Sequence, residues 1–383
     1  MKSIHNTDGV DEMSAFEIKD NILVKYLGTE KEIIIPDNIK EIGDRAFSGC
    51  EELKTMKLPG TVKKIGAAAF AGCRRLEKIN IEDCGIEYIE EYTFGGCEEL
   101  KTMKLPGTVK EIGKTAFAGC RNLERINIGD CGIDYIGEYA FSSCNSLKEI
   151  IIPDSVKYIG TGAFSGCSQI KSIIIPEGID ELEILIFAGC SSLEEVYIQG
   201  NVKEIGADAF GGCSKLSSIN IPNSVERIWY GSFEDCKSLE QIIIPEGVEK
   251  IEYCTFSGCN KLKEISLPES LKCIDSNAFE GCSDLSEISI PKNVVEISSR
   301  AFKGCEAVKM IRIPIGAKSL GERLFANCSS LTDVFIPDTI DEIWGDVFGG
   351  LKGEIRVHIA VDSKIKDLIE TSSKVIYIED YTA

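Results

Sequence analysis

The sequence predicts a repeat solenoid built on a parallel β-sheet, and three periodic residues support this prediction. Phenylalanines recur from Phe47 to Phe348, and eleven of the thirteen spacings are 23 residues while two are 24. A cysteine stands three residues after thirteen of the fourteen phenylalanines, and all eleven prolines stand eleven residues before one. One unit of this length cannot bury its own apolar face, so stacked units must share a continuous core.

The first element of each unit is a short strand that ends at the proline. In Ile150, Ile151 and Ile152 the alternation directs the outer two side chains inward and the middle one outward. Pro153 has no N–H to donate and a fixed φ, so it ends the strand and turns the chain.

The remainder of each unit supplies the rest of the core. Val156 and Ile159 are predicted to be buried on a second wall, and Phe164 packs into the interior. Gly166 then lets the backbone reverse. Cys167 serves as a small buried hydrophobe.

Two neighbouring units are duplicated. Residues 51–97 and 98–144 are identical at 36 of 47 positions, which indicates a tandem duplication. In both copies a loop that is one residue longer replaces the proline turn, at residues 82–85 and 129–132. These loops account for the two spacings of 24 residues.

The full unit reads L-x-x-I-x-I-P-x-x-V-x-x-I-G-x-x-A-F-x-G-C, as in residues 147–167, and it resembles the BspA-type leucine-rich repeat. The resemblance covers about residues 31–351. It implies an α/β repeat fold, namely a right-handed leucine-rich-repeat solenoid of about fourteen 23-residue repeats with a parallel sheet on its concave side. It also implies a bacterial or protozoan surface protein that binds host or matrix proteins.

The solenoid is predicted to span residues 31–351, with an N-terminal tail and hairpin cap at 1–30 and a C-terminal cap at 352–383. Caps are required because bare ends would expose the core and a sheet edge. Residues 16–18 and 22–26 predict the hairpin.

At the C-terminal end, residues 355–359 are predicted to continue the ladder as a last repeat strand. Asp362 or Ser363 is predicted to N-cap a short helix over residues 365–369. Residues 375–378 are predicted to add a closing strand.

Composition excludes several functions. The chain has 42 Lys plus Arg against 62 Asp plus Glu, and the net charge of −20 disfavours nucleic acid or an anionic membrane as a partner. No apolar run reaches the roughly 20 residues of a membrane span, so no membrane insertion is expected. The N-terminus has no signal-peptide pattern. The protein is therefore expected at the cell surface or secreted by family resemblance, or in the cytoplasm if Met1 is the native start.

The sequence predicts neither an enzyme nor a cofactor. It has two histidines and none of the phosphate-binding, nucleophile-elbow or H-E-x-x-H motifs. Thirteen of the 17 cysteines form the repeat column, where buried reduced thiols are expected. The other four are Cys84, Cys131, Cys254 and Cys273, and the last two are expected to be exposed because they lie outside the column. A thiol redox or metal protein would need such accessible thiols.

The predicted binding residues are the outward side chains of the first strands, because the repeat leaves them free to vary. These positions predict two patches. The apolar patch consists of Ile151, Ile174 and Tyr197. The basic patch consists of Lys57, Lys104 and Arg125. Contiguous exposed apolar surface commonly marks an interface, although β-branched neighbours also stabilise a sheet.

The predicted function is non-catalytic recognition or adhesion, in which the concave face binds a protein or glycan. The alternative is a cytoplasmic scaffold or self-associating structural protein, and the expected state is a monomer or a weak homo-oligomer.

Overall fold

The computed structural model describes residues 15–351, 353–369 and 375–379. The chain divides into two compact units, Met1–Tyr158 and Ile159–Ala383. The predicted N-terminal tail, residues 1–14, lies outside the described residues. The boundaries predicted for the solenoid and its caps stay a prediction.

In the first unit a hairpin is followed by repeats that each contribute up to two short strands. The strands as far as the unit boundary are β1 (Phe16–Lys19), β2 (Ile22–Tyr26), β3 (Glu32–Ile34), β4 (Glu41–Ile42), β5 (Thr55–Lys57), β6 (Lys64–Ile65), β7 (Lys78–Asn80), β8 (Tyr88–Ile89), β9 (Thr102–Met103), β10 (Glu111–Ile112), β11 (Arg125–Ile126), β12 (Tyr135–Ile136) and β13 (Tyr158–Ile159). β1 pairs antiparallel with β2, as predicted, and Asp20 and Asn21 form the turn with φ of 52° and 63°.

The second unit continues the same pattern. Its strands are β14 (Ser172–Ile175), β15 (Glu181–Leu182), β16 (Glu195–Ile198), β17 (Glu204–Ile205), β18 (Ser218–Ile219), β19 (Arg227–Ile228), β20 (Gln241–Ile243), β21 (Lys250–Ile251), β22 (Glu264–Ser266), β23 (Cys273–Ile274), β24 (Glu296–Ile297), β25 (Met310–Arg312), β26 (Ser319–Leu320), β27 (Asp333–Phe335), β28 (Glu342–Ile343), β29 (Ile355–His358) and β30 (Val375–Ile378). One helix, α1 (Ile365–Leu368), lies between the last two strands.

The strands form two parallel ladders along each unit. In the ladder that we call the first sheet, Met56 of β5 lies opposite Ile33 of β3 and Ile79 of β7. In the second sheet, Ile42 of β4 lies opposite Ile65 of β6. The register advances by one repeat at each step, which confirms the predicted repeat solenoid with a parallel sheet.

The phenylalanine segment of each repeat consists of turns rather than a helix. Backbone hydrogen bonds still join these turns from one repeat to the next, as when the Phe210 N–H donates to Ser232 O over 2.9 Å. Within the described residues, helix is limited to α1, a 3-10 turn at Ile128–Asp130 and a 3-10 residue at Ala15. The fold is therefore almost entirely β-strand and turn.

The phenylalanine rings form a column through the core of each unit. In the second unit Phe233 lies 5.5 Å from both Phe210 and Phe256, with interplanar angles of 10° and 5°. All three side chains are fully buried. At the start of the first unit the Tyr26 ring stacks on Phe47 at 5.2 Å, so the hairpin covers the end of the column.

The cysteine column has a hydrogen-bonding role besides its packing role. The Cys236 thiol donates to Phe210 O, one repeat back, over 3.3 Å. The Cys213 N–H donates to the same carbonyl over 3.0 Å. This pattern recurs in both units. Cysteine is thus a small apolar residue that also pairs a buried carbonyl oxygen.

All 17 cysteines lie in the described residues and none forms a disulfide; only Cys50 and Cys273 are half-buried rather than buried. The prediction that Cys254 is exposed is wrong, because its side chain is 8% exposed. Burial raises the pKa of the column thiols, for example to about 12 at Cys120. It also raises the pKa of Cys273 to about 12.

The C-terminal strands continue the first sheet, since β29 pairs in parallel with both β27 and β30. The helix α1 is one turn long and its N-cap residue is Lys364, not Asp362 or Ser363 as predicted. The Ser363 hydroxyl oxygen nevertheless accepts a hydrogen bond from the Ile365 N–H over 3.2 Å.

Truncation of one column ring should destabilise the protein strongly. We expect Phe233→Ala to lower the free energy of unfolding by about 3–5 kcal/mol, because it leaves a cavity between two stacked rings. Urea denaturation followed by circular dichroism measures this loss. Tyr230→Ala in the same repeat, whose side chain is 48% exposed, should change it by only about 0.5 kcal/mol. Equal losses in the two variants would contradict the column's role.

Thiol accessibility should follow burial. We expect Cys50 and Cys273 to react first when the native protein is treated with a disulfide reagent at mildly alkaline pH, and the remaining 17 − 2 = 15 thiols to react slowly. The double variant Cys50→Ser/Cys273→Ser should lose the fast phase, whereas denatured wild type should react throughout. Fast labelling of Cys254 would contradict the burial described above.

Candidate functional site

The predicted apolar residues of the second unit lie side by side on the first sheet. In β14 and β16, Ile174 and Tyr197 occupy directly opposed positions of the parallel ladder. Both side chains are 52% exposed, whereas Ile173 and Val196, which precede them, are buried. The two strands therefore hold an isoleucine and a tyrosine together at the surface.

The Tyr197 ring is oriented by a hydrogen bond. Its hydroxyl donates to Glu195 Oε2 over 2.6 Å, and this bond raises the pKa of the tyrosine. The hydroxyl end of the ring is therefore polar while its body stays available for apolar contact.

The same outward column contains an exposed isoleucine outside the predicted set. Ile243 of β20 is 73% exposed, and the exposed Asn220 occupies the position one repeat before it. Its position in the outward column is the sequence signal that could have identified Ile243. Its exposure is larger than that of Ile174.

In the first unit the structure brings together Ile151, Lys104 and Arg125. All three line a groove of about 630 Å³, which we call the first groove. The Ile151 side chain is 65% exposed. Ile151 belongs to the first unit and Ile174 and Tyr197 to the second, so a continuous strip of the three residues stays a prediction.

The first groove is less basic than the sequence suggested. Its charged lining residues are three cations and three carboxylates: Lys78, Lys104, Arg125, Glu82, Asp130 and Glu149. Formal charges sum to 3 − 3 = 0, so the basic side chains lie beside acidic ones.

Lys57 lies beside the first groove rather than in its lining. It is exposed at the end of β5, opposite Ile34 on one side and Asn80 on the other. Within the described residues Lys57, Lys104 and Arg125 have no ion-pair partner. Other lysines are paired one repeat apart, as Lys54 is with Glu77 at 2.9 Å.

Two asparagines in the outward column have structural roles. The Asn80 side chain accepts a hydrogen bond from Leu58 N–H over 2.9 Å and donates one to Leu58 O over 3.2 Å. Asn127 makes the same pair of bonds with Leu105, over 2.7 and 3.3 Å. Their amides complete the backbone hydrogen bonding of the preceding repeat.

A second groove lies in the second unit, and sequence reasoning missed it. It has a cavity volume of about 750 Å³ and lies between residues 286–292 and 307–315. The segment 286–291 reads S-E-I-S-I-P and matches the repeat as well as its neighbours do, so no sequence signal marks it. We call it the second groove.

No group of histidine, cysteine, aspartate or glutamate suited to a metal ion occurs in the described part of the chain. In that part, none of the helices has the length and apolarity that crossing a bilayer requires. The surface features that stand out are therefore the exposed apolar pair and the two grooves.

Solved structures of bacterial leucine-rich-repeat proteins have the same fold. One is a leucine-rich repeat protein from Bacteroides ovatus, with 29% identity over 94% of both chains and a TM-score of 0.77. A leucine rich cell surface protein from Faecalibacterium prausnitzii has 25% identity over 97% of this chain and 99% of that chain, with a TM-score of 0.50. The pneumococcal vaccine antigen PcpA has 21% identity over 95% of this chain and 96% of that chain, with a TM-score of 0.58. This similarity supports the fold only.

A search of the curated proteins found no significant match. A family model, described as the BspA type leucine rich repeat region in six copies, matches residues 17–131, 130–240 and 227–353. These ranges contain nearly all of the hairpin and of the strands, and the whole phenylalanine column. The chain belongs to the BspA-type leucine-rich-repeat family.

Proposed function

We propose that the protein is a non-catalytic binding module that recognises a protein or glycan partner through the outward face of its first sheet. The observation that carries this proposal is the opposed pair Ile174 and Tyr197, each 52% exposed on adjacent strands. A tyrosine next to an aliphatic side chain on a rigid sheet offers contact area at a small entropic cost.

The family and the fold support a binding role. Leucine-rich-repeat solenoids present extended surfaces on which variable side chains meet a partner. The neighbour from Faecalibacterium prausnitzii is described as a cell surface protein, which supports a surface location for this chain. Family members are generally non-catalytic, and we extend that property to this protein.

The first groove is the proposed electrostatic part of the binding face. Lys104 and Arg125 line it together with Ile151, and Lys57 of β5 lies opposite Asn80, which also lines the groove. Because carboxylates line the same groove, these cations are expected to affect the association rate and orientation of a partner more than its affinity.

Self-association is the alternative use of the same apolar pair. Two copies that bury Ile174 and Tyr197 against each other would form a scaffold rather than a receptor. Light scattering over a wide protein concentration range separates the two functions, because only self-association gives a mass that rises with concentration and falls to the monomer in Ile174→Asp.

Substitution of either residue of the apolar pair should weaken recognition. Against a panel of purified extracellular-matrix proteins and a glycan array, we expect Ile174→Asp and Tyr197→Ala each to weaken the strongest interaction by about 30-fold, because central aromatic and aliphatic anchors contribute most of the binding energy. Surface plasmon resonance measures the loss.

The matched controls lie in the same unit but outside the first sheet. Ile184→Asp and Tyr253→Ala replace side chains that are 45% and 52% exposed, and both should bind like the wild type. If all four variants bind equally well, the proposed face is wrong.

Charge reversal in the first groove should act on kinetics. We expect the double variant Lys104→Glu/Arg125→Glu to slow association by about tenfold at low salt and to change dissociation little. A double variant at two exposed cations outside the first sheet, Arg45→Glu/Lys63→Glu, makes the same change in net charge. Equal slowing by both pairs would show a general charge effect rather than a site.

A further inference from the structure

The first sheet of the second unit breaks twice, between β18 and β20, which are not paired, and at residues 286–290, the one repeat of this unit whose described first segment forms no strand. β22 pairs only with β20, and β25 pairs only with β27. Within the described residues, the intervening segment 286–290 forms no strand and no backbone hydrogen bond to either neighbour. The edge of β25 that faces this segment therefore has no ladder partner, and its N–H and C=O groups are available to an added strand.

The second groove lies at the break at residues 286–290. It separates residues 286–292 from residues 307–315, and its volume of about 750 Å³ is within the range of about 300–1,000 Å³ typical of ligand sites. At the proline-turn end the two repeats remain in close contact, since a Cβ on Gly316 would lie 2.0 Å from Lys292 O. The groove is thus open along the strands and closed at the turns.

The lining combines exposed apolar side chains with unpaired cations. Met310 and Ile315 are 47% and 53% exposed. The charged lining residues are Lys292, Lys309, Arg312 and Glu287, a formal sum of 3 − 1 = +2 in a protein of net charge −20. None of the three cations has an ion-pair partner in the described chain. This local excess of positive charge favours an anionic ligand.

Arg312 is held in place by the next repeat, on the side of β25 away from its free edge. Its guanidinium lies 3.8 Å above the Phe335 ring, directly across the β25–β27 ladder. The carboxylate of Asp333, also on β27, pairs instead with Arg356 Nη2 at 2.6 Å and with His358 Nε2 at 2.9 Å. A stacked guanidinium keeps its N–H fork free and oriented, and that fork matches a carboxylate.

We propose that the second groove binds an extended acidic peptide segment as an added strand against β25. Carboxylates of the segment pair with Arg312 and Lys309, and its main chain hydrogen-bonds to the free edge of β25. Met310 and Arg312 lie on the same face of β25, so the acidic side chains of the segment lie on that face and its alternate, apolar side chains lie on the other. A strand edge selects a polypeptide over a free anion, and alternation of acidic and apolar residues matches the period of two of a strand.

The experiment measures fluorescence anisotropy of a blocked, labelled peptide of alternating Glu and Val residues with the full chain. We expect this peptide to bind and the Lys and Val counterpart not to bind. Arg312→Ala should weaken binding by about tenfold or more, and Arg312→Lys by less, because lysine keeps the charge but lacks the fork. Lys309→Glu should also weaken it, while the control Lys261→Glu, an exposed unpaired lysine outside the groove, should not.

Two further measurements test the strand itself. A Glu and Val peptide N-methylated at every second residue lacks the main-chain donors and should bind much more weakly. The acidic peptide should also shift the amide NMR signals of residues 310–312 in the wild type, and all variants should keep the wild-type thermal midpoint. No binding, equal binding of the N-methylated peptide, or equal competition by a sulfated oligosaccharide would overturn the proposal. None of these outcomes depends on Ile174 or Tyr197, so they are separate from the test of the proposed function.

Discussion

The stacking of each phenylalanine on the next is the interaction on which the rest of the structure depends. Rings such as Phe210, Phe233 and Phe256 follow one another at 5.5 Å, which brings successive repeats into the register that both ladders share. Column thiols such as those of Cys236 and Cys259 donate a hydrogen bond to the carbonyl oxygen of the phenylalanine one repeat back, so these buried carbonyl groups are paired as well as packed. A repeat removed from this column would expose its ring and lose hydrogen bonds on every side.

Because the phenylalanine column specifies the buried positions, the outward side chains of the first sheet do not have to pack in the core. They have taken different roles in different repeats. Asn80 pairs the backbone of the preceding repeat, Ile174 and Tyr197 form an exposed apolar pair, and Arg312 stacks on Phe335. Binding residues and structural residues therefore occupy the same column of the repeat.

The two grooves show how charge and shape combine in an acidic solenoid. Many lysines pair with a glutamate one repeat away, whereas the described cations that line the two grooves do not. The first groove places its cations beside as many carboxylates, whereas the second has an excess of two positive charges. Net charge alone reveals neither arrangement, because it averages over a surface on which local pairing determines the field.

The sequence by itself determined the repeat and its length, the buried ring and thiol columns, and the outward position of every first strand. It could do so because burial follows a local periodic pattern that recurs in each repeat. It also predicted the hairpin and the C-terminal strands. It could not assign Asn80 to backbone pairing or bury Cys254, since both depend on atoms one repeat away. Only the tertiary structure decided that the first sheet opens at residues 286–290. The physical reason is that the separation of two strands depends on how neighbouring repeats stack and not on any residue's own preference.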